Sequence, residues 1–329
     1  MDLQDVTKNQ HFIAQVEQRL NAINPSAKEE NQKIYSFSLN ARETYSIILD
    51  SDAGFKISST LRFNDLFSFD VLGKEPVRYN FEKLFHQYES KIKENTEILL
   101  LKLASSGDIK TEILNIFMFK LLNFVRNPYS IKKVLNTFPQ LFQFHPTNSV
   151  HRENFKRIIC GRKPHQEYLC NQLGITQEEY ANWLSVLFLL LTEVENGQPN
   201  MLEQVVRELY EDPNLFVMVN IYTFDEKTCL LSDRGYSIPL PEKELMVWDF
   251  NLYSHGFIRY FFGSIEQLAM PSFPKDCIER SKSLPKAITV NHIKNDLSEL
   301  EQYNKHVVYQ CRQNVFNSSL ECYGIPYST

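Results

Sequence analysis

Leu215-Phe216-Val217-Met218-Val219-Asn220-Ile221-Tyr222 is the stretch that decides how this chain folds. It is a strand-length run of β-branched and aromatic residues, which suits a pleated, partly buried surface. It stands at a change of period. Upstream, residues 79–103 carry Phe81, Leu84, Phe85, Tyr88, Ile92 and Leu99, roughly one apolar helical face. Residues 109–125 read as a second, more apolar helix that stops near Asn127-Pro128, because a residue preceding proline is pushed out of the α region. Residues 131–144 read as helical or irregular, interrupted by Pro139. Residues 178–195 predict a helix burying Trp183, Val186, Leu187, Leu190 and Leu191, and residues 201–210 a shorter one. Downstream, Cys229-Leu230-Leu231-Ser232 and residues 244–252, 257–262 and 287–293 read as strands, and residues 297–315 as a closing helix.

The start of the chain has its own β signal. Ile34-Tyr35-Ser36-Phe37-Ser38-Leu39 alternates with the period of a strand. Residues 45–49 are placed to pair with it across a turn containing Asn40, before the turn residues Asp50-Ser51-Asp52-Ala53-Gly54. Phe12, Val16, Leu20 and Ile23 predict a helix over residues 11–23, ended by Pro25. The fold class expected is α+β: an N-terminal strand pair, a helical middle and a C-terminal, mostly antiparallel sheet with a closing helix. Residues 1–329 are read as a single large domain, with the helical part at about 79–210 between β-containing segments 30–70 and 215–295.

Composition narrows the function only by exclusion. Hydrophobic residues make up 43% of the 329, enough for a large core, and the net charge of -5 argues against a generally basic nucleic-acid coat protein. The six cysteines, at 160, 170, 229, 277, 311 and 322, form no Cys-x-x-Cys pair. They read as reduced, mostly buried thiols of a cytoplasmic protein. The strongest apolar run, 183–191, falls well short of the roughly 20 residues of a spanning helix, so no membrane association is expected. No Gly-Lys phosphate loop, dinucleotide glycine turn, His-Glu-x-x-His or Gly-x-Ser-x-Gly occurs, which argues against P-loop, Rossmann and esterase-elbow chemistry.

A spaced set of short motifs runs through the chain. Gln10-His11-Phe12-Ile13 comes first, then Asp65-Leu66-Phe67-Ser68 and Phe85-His86-Gln87-Tyr88-Glu89-Ser90-Lys91-Ile92. Arg126-Asn127-Pro128 ends a core helix, Leu231-Ser232-Asp233 follows a strand, and Tyr303-Asn304 lies on the closing helix. The set resembles a bacterial family known as domain of unknown function 4238. The chain departs from that pattern at Ala14, where a proline is usual, and at Arg234-Gly235, where Asn-Pro is usual. The resemblance spans roughly residues 8–320 and implies an organisation and a list of polar residues, not a reaction.

Those residues are His11, Glu89, Arg126 and Asp233, with Gln10 and Asn304 beside them. His11 suits a general base or metal ligand, and equally a cap on the first helix. Glu89 and Glu82, seven residues apart, would lie on a similar face, either to hold a hard cation or as an exposed acidic face. Arg126 would bind a phosphate or pair with Glu89, or simply complement a helix C-terminus. Asp233 is either a strand-end carboxylate or the start of a turn before Gly235. Together they contain the parts of a metal-dependent nuclease or phosphodiesterase, with His11, Glu89 and Asp233 holding Mg or Mn, and equally those of a satisfied buried network. An anti-phage role is what such bacterial families suggest.

The alternative is a non-catalytic sensor or scaffold with a protein partner in a defence system, using Tyr253, Phe257, Tyr260, Phe261 and Phe262, mostly core residues, as part of its surface. A local basic patch, Arg152, Lys156, Arg157, Arg162 and Lys163, could attract nucleic acid or form a solvated loop. Nothing in the sequence sets an oligomeric state.

Overall fold

The computed structural model describes residues 2–72, 77–105, 107–193, 197–239, 245–268, 274–284 and 286–328. The chain opens with β1 (Asn9–His11), α1 (Gln15–Arg19), β2 (Lys33–Ala41), β3 (Ser46–Leu49), β4 (Phe55–Lys56), β5 (Arg62–Asn64), β6 (Phe69–Leu72) and β7 (Val77–Tyr79). Helices α2 (Glu82–Glu89), α3 (Ile92–Ser105), α4 (Lys110–Arg126), α5 (Ile131–Thr137), α6 (Ser149–Cys160), α7 (Gln166–Leu173), α8 (Gln177–Leu191) and α9 (Met201–Glu211) follow. Then come β8 (Leu215–Thr223), β9 (Leu231–Ser232), β10 (Leu245–Tyr253), β11 (Gly256–Ser264), α10 (Ile265–Leu268), α11 (Lys275–Ser283), β12 (Thr289–Lys294), α12 (Leu297–Gln310), β13 (Asn314–Asn317) and β14 (Tyr327–Ser328). The fold is α+β, as the change of period at residue 215 implies.

The strand read from 215–222 is β8, in the order β10-β11-β8-β12, antiparallel except for the parallel β8–β12 pair. Its alternation decides its faces: Val217, Val219 and Ile221 are buried while Met218 and Asn220 are not. Beneath the sheet runs α4, whose Phe117 ring lies 4.8 Å from Tyr260 and 5.2 Å from Phe262. Trp183 of α8 closes over the other end of α4, its Nε1 donating to the Val125 carbonyl at 2.8 Å. A helix packed on nearly all sides must be apolar all round. In α4 that makes buried Lys120, Asn123 and Arg126 conspicuous.

Four local expectations change. Residues 11–23 do not form one helix. Asn9–His11 pairs with β5 instead, and Ala14 sits extended (φ -52°, ψ 139°) before the short α1. The 79–103 helix is two, α2 and α3, separated at Ser90 and Lys91. The β2–β3 turn occupies 42–45, with Asn40 still in the strand. The closing helix stops at Gln310, because Val315 and Phe316 pair with Phe37 and Ser36 of β2 on one side and with β9 on the other. Inserted there, β13 satisfies backbone groups that both neighbours would otherwise leave open. It also joins the N-terminal strand pair to the C-terminal chain in one sheet, ordered β14-β3-β2-β13-β9. Expected boundaries at Glu195 and Glu244 lie outside the described residues.

Candidate functional site

Lys120, Asn123 and Arg126 follow one another at three-residue steps, so they form one stripe along α4. Arg126 has no exposed surface. Its Nε and Nη2 donate to the Asn123 Oδ1 at 3.1 and 2.7 Å, its Nη1 donates to Glu89, and its guanidinium lies 4.9 Å from the centre of the Phe85 ring. Asn123 in turn donates through Nδ2 to Glu17, and Lys120 donates to the other Glu17 oxygen and to the Asn251 carbonyl. Asn251 and Asn21 exchange side-chain hydrogen bonds of 2.8 and 3.1 Å. A connected polar chain therefore runs through the interior from Glu89 to Asn21. Each buried charge in it has a partner, which is the condition for tolerating it there. Burial lowers the pKa of Lys120, opposed by the Glu17 carboxylate.

Within electrostatic reach of the Glu89 end lie two groups that each leave one buried atom without a hydrogen-bond partner among the described residues. Glu82, two helical turns before Glu89 on α2, has a buried Oε1 without a hydrogen-bond partner among the described residues. Burial and then the Glu89 charge push it up to about 7. His11, at the end of β1, has a buried Nε2 that is likewise without a partner, while its Nδ1 lies 3.4 Å from Gln15 Nε2. Burial first, with the charges of Arg62 and Arg126 behind it, pushes His11 down to about 4, against an opposing hydrogen bond with the Ile57 backbone. Glu89 is ion-paired and Glu82 is not, so two neighbouring carboxylates sit in opposed environments. Glu89 also leads outward, its side chain a quarter exposed.

The structure thus brings together His11, Glu89 and Arg126 of the expected set. The other three members hold the fold. Gln10 accepts from the Phe67 N–H at 2.5 Å and donates to Ser68 Oγ and the Thr7 carbonyl, clamping the 65–68 turn to β1. Asn304 accepts from the Leu230 N–H and donates to the Tyr323 carbonyl. The Asp233 carboxylate accepts backbone N–H groups from Arg312, Gln313 and Asn314 at 2.7, 2.7 and 3.1 Å, which fixes the α12–β13 corner. Burial raises the pKa of Asp233 and those three donors oppose the rise.

The expected ligand set of His11, Glu89 and Asp233 does not fit a metal here. Asp233 directs both oxygens at the 312–314 backbone, and Glu89 faces Arg126. Among the described residues no group of three or more His, Cys, Asp or Glu is arranged to hold an ion. The Asp233 turn is nonetheless tied to the site's walls. Asn127, next to Arg126, donates to the Asp233 carbonyl at 2.8 Å, and Gly235 packs on Ile13, two residues from His11.

Glu17, Lys120 and Asn123 escaped the sequence reading. Their signal was available for α4, a polar residue every third position inside an apolar helix, but Glu17 looks like any surface acid until the tertiary contact is known. The basic patch is partly dismantled. Arg157 pairs with Asp70 at 2.8 Å and Glu153 at 3.3 Å, and Lys163 is buried on the carbonyls of Ile159 and Gly161. Arg152, Lys156 and Arg162 remain exposed. The aromatic run named as a partner surface is mostly core: Phe257, Tyr260 and Phe262 are buried.

Fold and site together define an α+β protein with a buried acid–arginine cluster open at one carboxylate. No protein-family model, curated protein or solved structure matches the chain. Among the described residues no helix is long and apolar enough to cross a membrane.

Proposed function

We propose that the protein is a hydrolase of phosphodiester bonds, a nuclease or phosphodiesterase, worked by the Glu82–Glu89–Arg126–His11 cluster. The observation that carries this reading is the pair of unsatisfied buried atoms, Glu82 Oε1 and His11 Nε2, beside a fully buried arginine. Polar groups left open in an interior are costly, and a bound substrate is one reason for a fold to keep them. A carboxylate at about 7 is poised to take a proton from water at neutral pH, whereas an imidazole at about 4 is neutral there and a weak acceptor. The base is therefore Glu82, and His11 orients substrate or water through Nε2. Arg126 holds Glu89 in place and adds positive potential where negative charge develops.

Mg or Mn remains part of the proposal as cofactor. Such cations are commonly bound by one or two carboxylates together with substrate phosphates, and the partly exposed Glu89 would supply the carboxylate, leaving Glu82 free as the base. The resemblance adds a cytoplasmic, anti-phage setting and a defence-system partner to the same proposal.

The test is cleavage of labelled DNA and RNA by purified protein, with Mg²⁺, with Mn²⁺ or with chelator, comparing wild type, His11→Ala and Glu82→Gln. Loss of a proton-transfer group should slow cleavage on the order of a hundredfold. If folded wild type cleaves neither nucleic acid under any of these conditions, the hydrolase reading is wrong and a non-catalytic sensor or scaffold takes its place.

A further inference from the structure

The β1–β5 ladder sets His11 opposite Arg62 and Asn9 opposite Asn64. Directly opposed residues of an antiparallel pair project on the same face with their Cβ atoms about 5 Å apart. His11 therefore stands at one end of a polar strip that continues through Arg62 to Asn64. An open pocket of about 440 Å³ adjoins that strip, lined by Ser59, Arg62, Phe63, Asn64, His165 and Tyr168. Its chemistry is distinctive. Tyr168 on α7 is 57% exposed and makes no ring contact among the described residues. Arg62 is held by Asn9 through Nη1, while its buried Nε has no partner among the described residues. Asp65, next to Asn64 in the chain, is already matched by Arg78 at 2.6 Å, and His165 lies 3.9 Å from it. Exposed Arg162 lies three residues before His165.

We propose that this pocket binds single-stranded nucleic acid, with Tyr168 stacking on an unpaired base and Arg62 and His165 on the adjoining phosphates, so that the strand continues along the polar strip to His11. The inference rests on the hydrolase reading and names its substrate class. An exposed aromatic face beside cations matches how single strands are held: stacking is open to any base, and cations track the backbone. A duplex keeps its bases stacked and has none to offer to a side chain.

The test is fluorescence anisotropy of a short labelled oligo(dT) and oligo(rU) in the presence of chelator, so that binding is read without cleavage. Tyr168→Ala should weaken binding about tenfold or more, Tyr168→Phe should restore it, and Arg62→Gln should flatten the salt dependence by about one phosphate contact. Tyr168 is exposed, so its variants are expected to fold, which circular dichroism would verify. No binding by wild type, wild-type affinity in Tyr168→Ala, or equal competition by the matching duplex would each overturn the inference. Cleavage that persists while binding ignores Tyr168 and Arg62 would sink the pocket alone, and Tyr168-dependent binding without cleavage would sink the hydrolase alone.

Discussion

Arg126 and Glu89 form an ion pair in which the guanidinium has no exposure and the carboxylate is a quarter exposed. The two partners are therefore not equivalent. Removing Glu89 leaves a buried positive charge answered by no carboxylate hydrogen bond among the described residues, with Asn123 and the Phe85 ring as its neighbours, which is the costly way to break a buried pair. We expect Glu89→Ala to lower stability by about 3 kcal/mol, and Arg126→Met, which removes the charge and keeps the volume, to cost less. Urea unfolding of both variants checks the order. Equal losses would mean that the pair is screened by solvent.

Glu82 and His11 should tilt stability with pH in opposite directions. Glu82 is raised from 4.5 to about 7, so the folded protein binds its proton more tightly than the unfolded chain. Its contribution is present below pH 4.5 and is lost as pH rises through 7, about 3 kcal/mol in all. His11 is lowered from 6.5 to about 4, so its contribution is present above pH 6.5 and is lost as pH falls through 4. Unfolding free energies from pH 4 to 8 should show Glu82→Gln more stable than wild type at the alkaline end and His11→Gln less acid-sensitive. A Glu82→Gln curve parallel to wild type would show that Glu82 titrates normally.

The Lys120–Glu17 pair is wholly interior, and Asn251 and Asn123 complete it. Either single change, Lys120→Met or Glu17→Leu, should cost about 4 kcal/mol by stranding a charge, and the double change much less than the sum. A double-mutant cycle measures the coupling. Additive losses would mean that the two charges do not rely on each other.

Asp233 separates a structural reading from a chemical one. Its carboxylate accepts three backbone N–H groups at a corner whose residues are not buried, so Asp233→Ala should destabilise by about 2 kcal/mol in all, through the 312–314 corner. Cleavage per folded molecule should stay within a few-fold of wild type. A loss as large as that of Glu82→Gln, with the fold intact, would return Asp233 to the chemistry.

Gly235 gives a sharper probe of the same turn. It has φ +75°, and an added Cβ would lie 2.7 Å from Ile13 Cδ1. Gly235→Ala should cost about 1 kcal/mol or more from backbone strain alone. Adding Ile13→Val, which shortens the colliding side chain, should recover part of it. No recovery would place the whole cost in the backbone.

Period and punctuation alone located most of the elements. The run at 215–222, the alternation at 34–39, the apolar face of 109–125 and the stop at Asn127-Pro128 each carry their structure locally, because side-chain spacing on a strand or helix is a property of the segment itself. Arg126 and Glu89 were legible as a pair for the same reason: a cation ends a core helix, and an acid sits on a mostly apolar one. What needed the tertiary structure was everything that depends on a distant partner. Asn9–His11 becomes a strand only because Arg62–Asn64 lies beside it. Residues 314–317 leave the helix only because β2 and β9 leave a place between them. Glu17 joins Lys120 across 103 residues of sequence, and Asp233 turns from the cluster to the backbone 79–81 residues ahead. A carboxylate reads the same in sequence whether it faces water, an arginine or three amide protons. Its chemistry is set by what the fold puts around it.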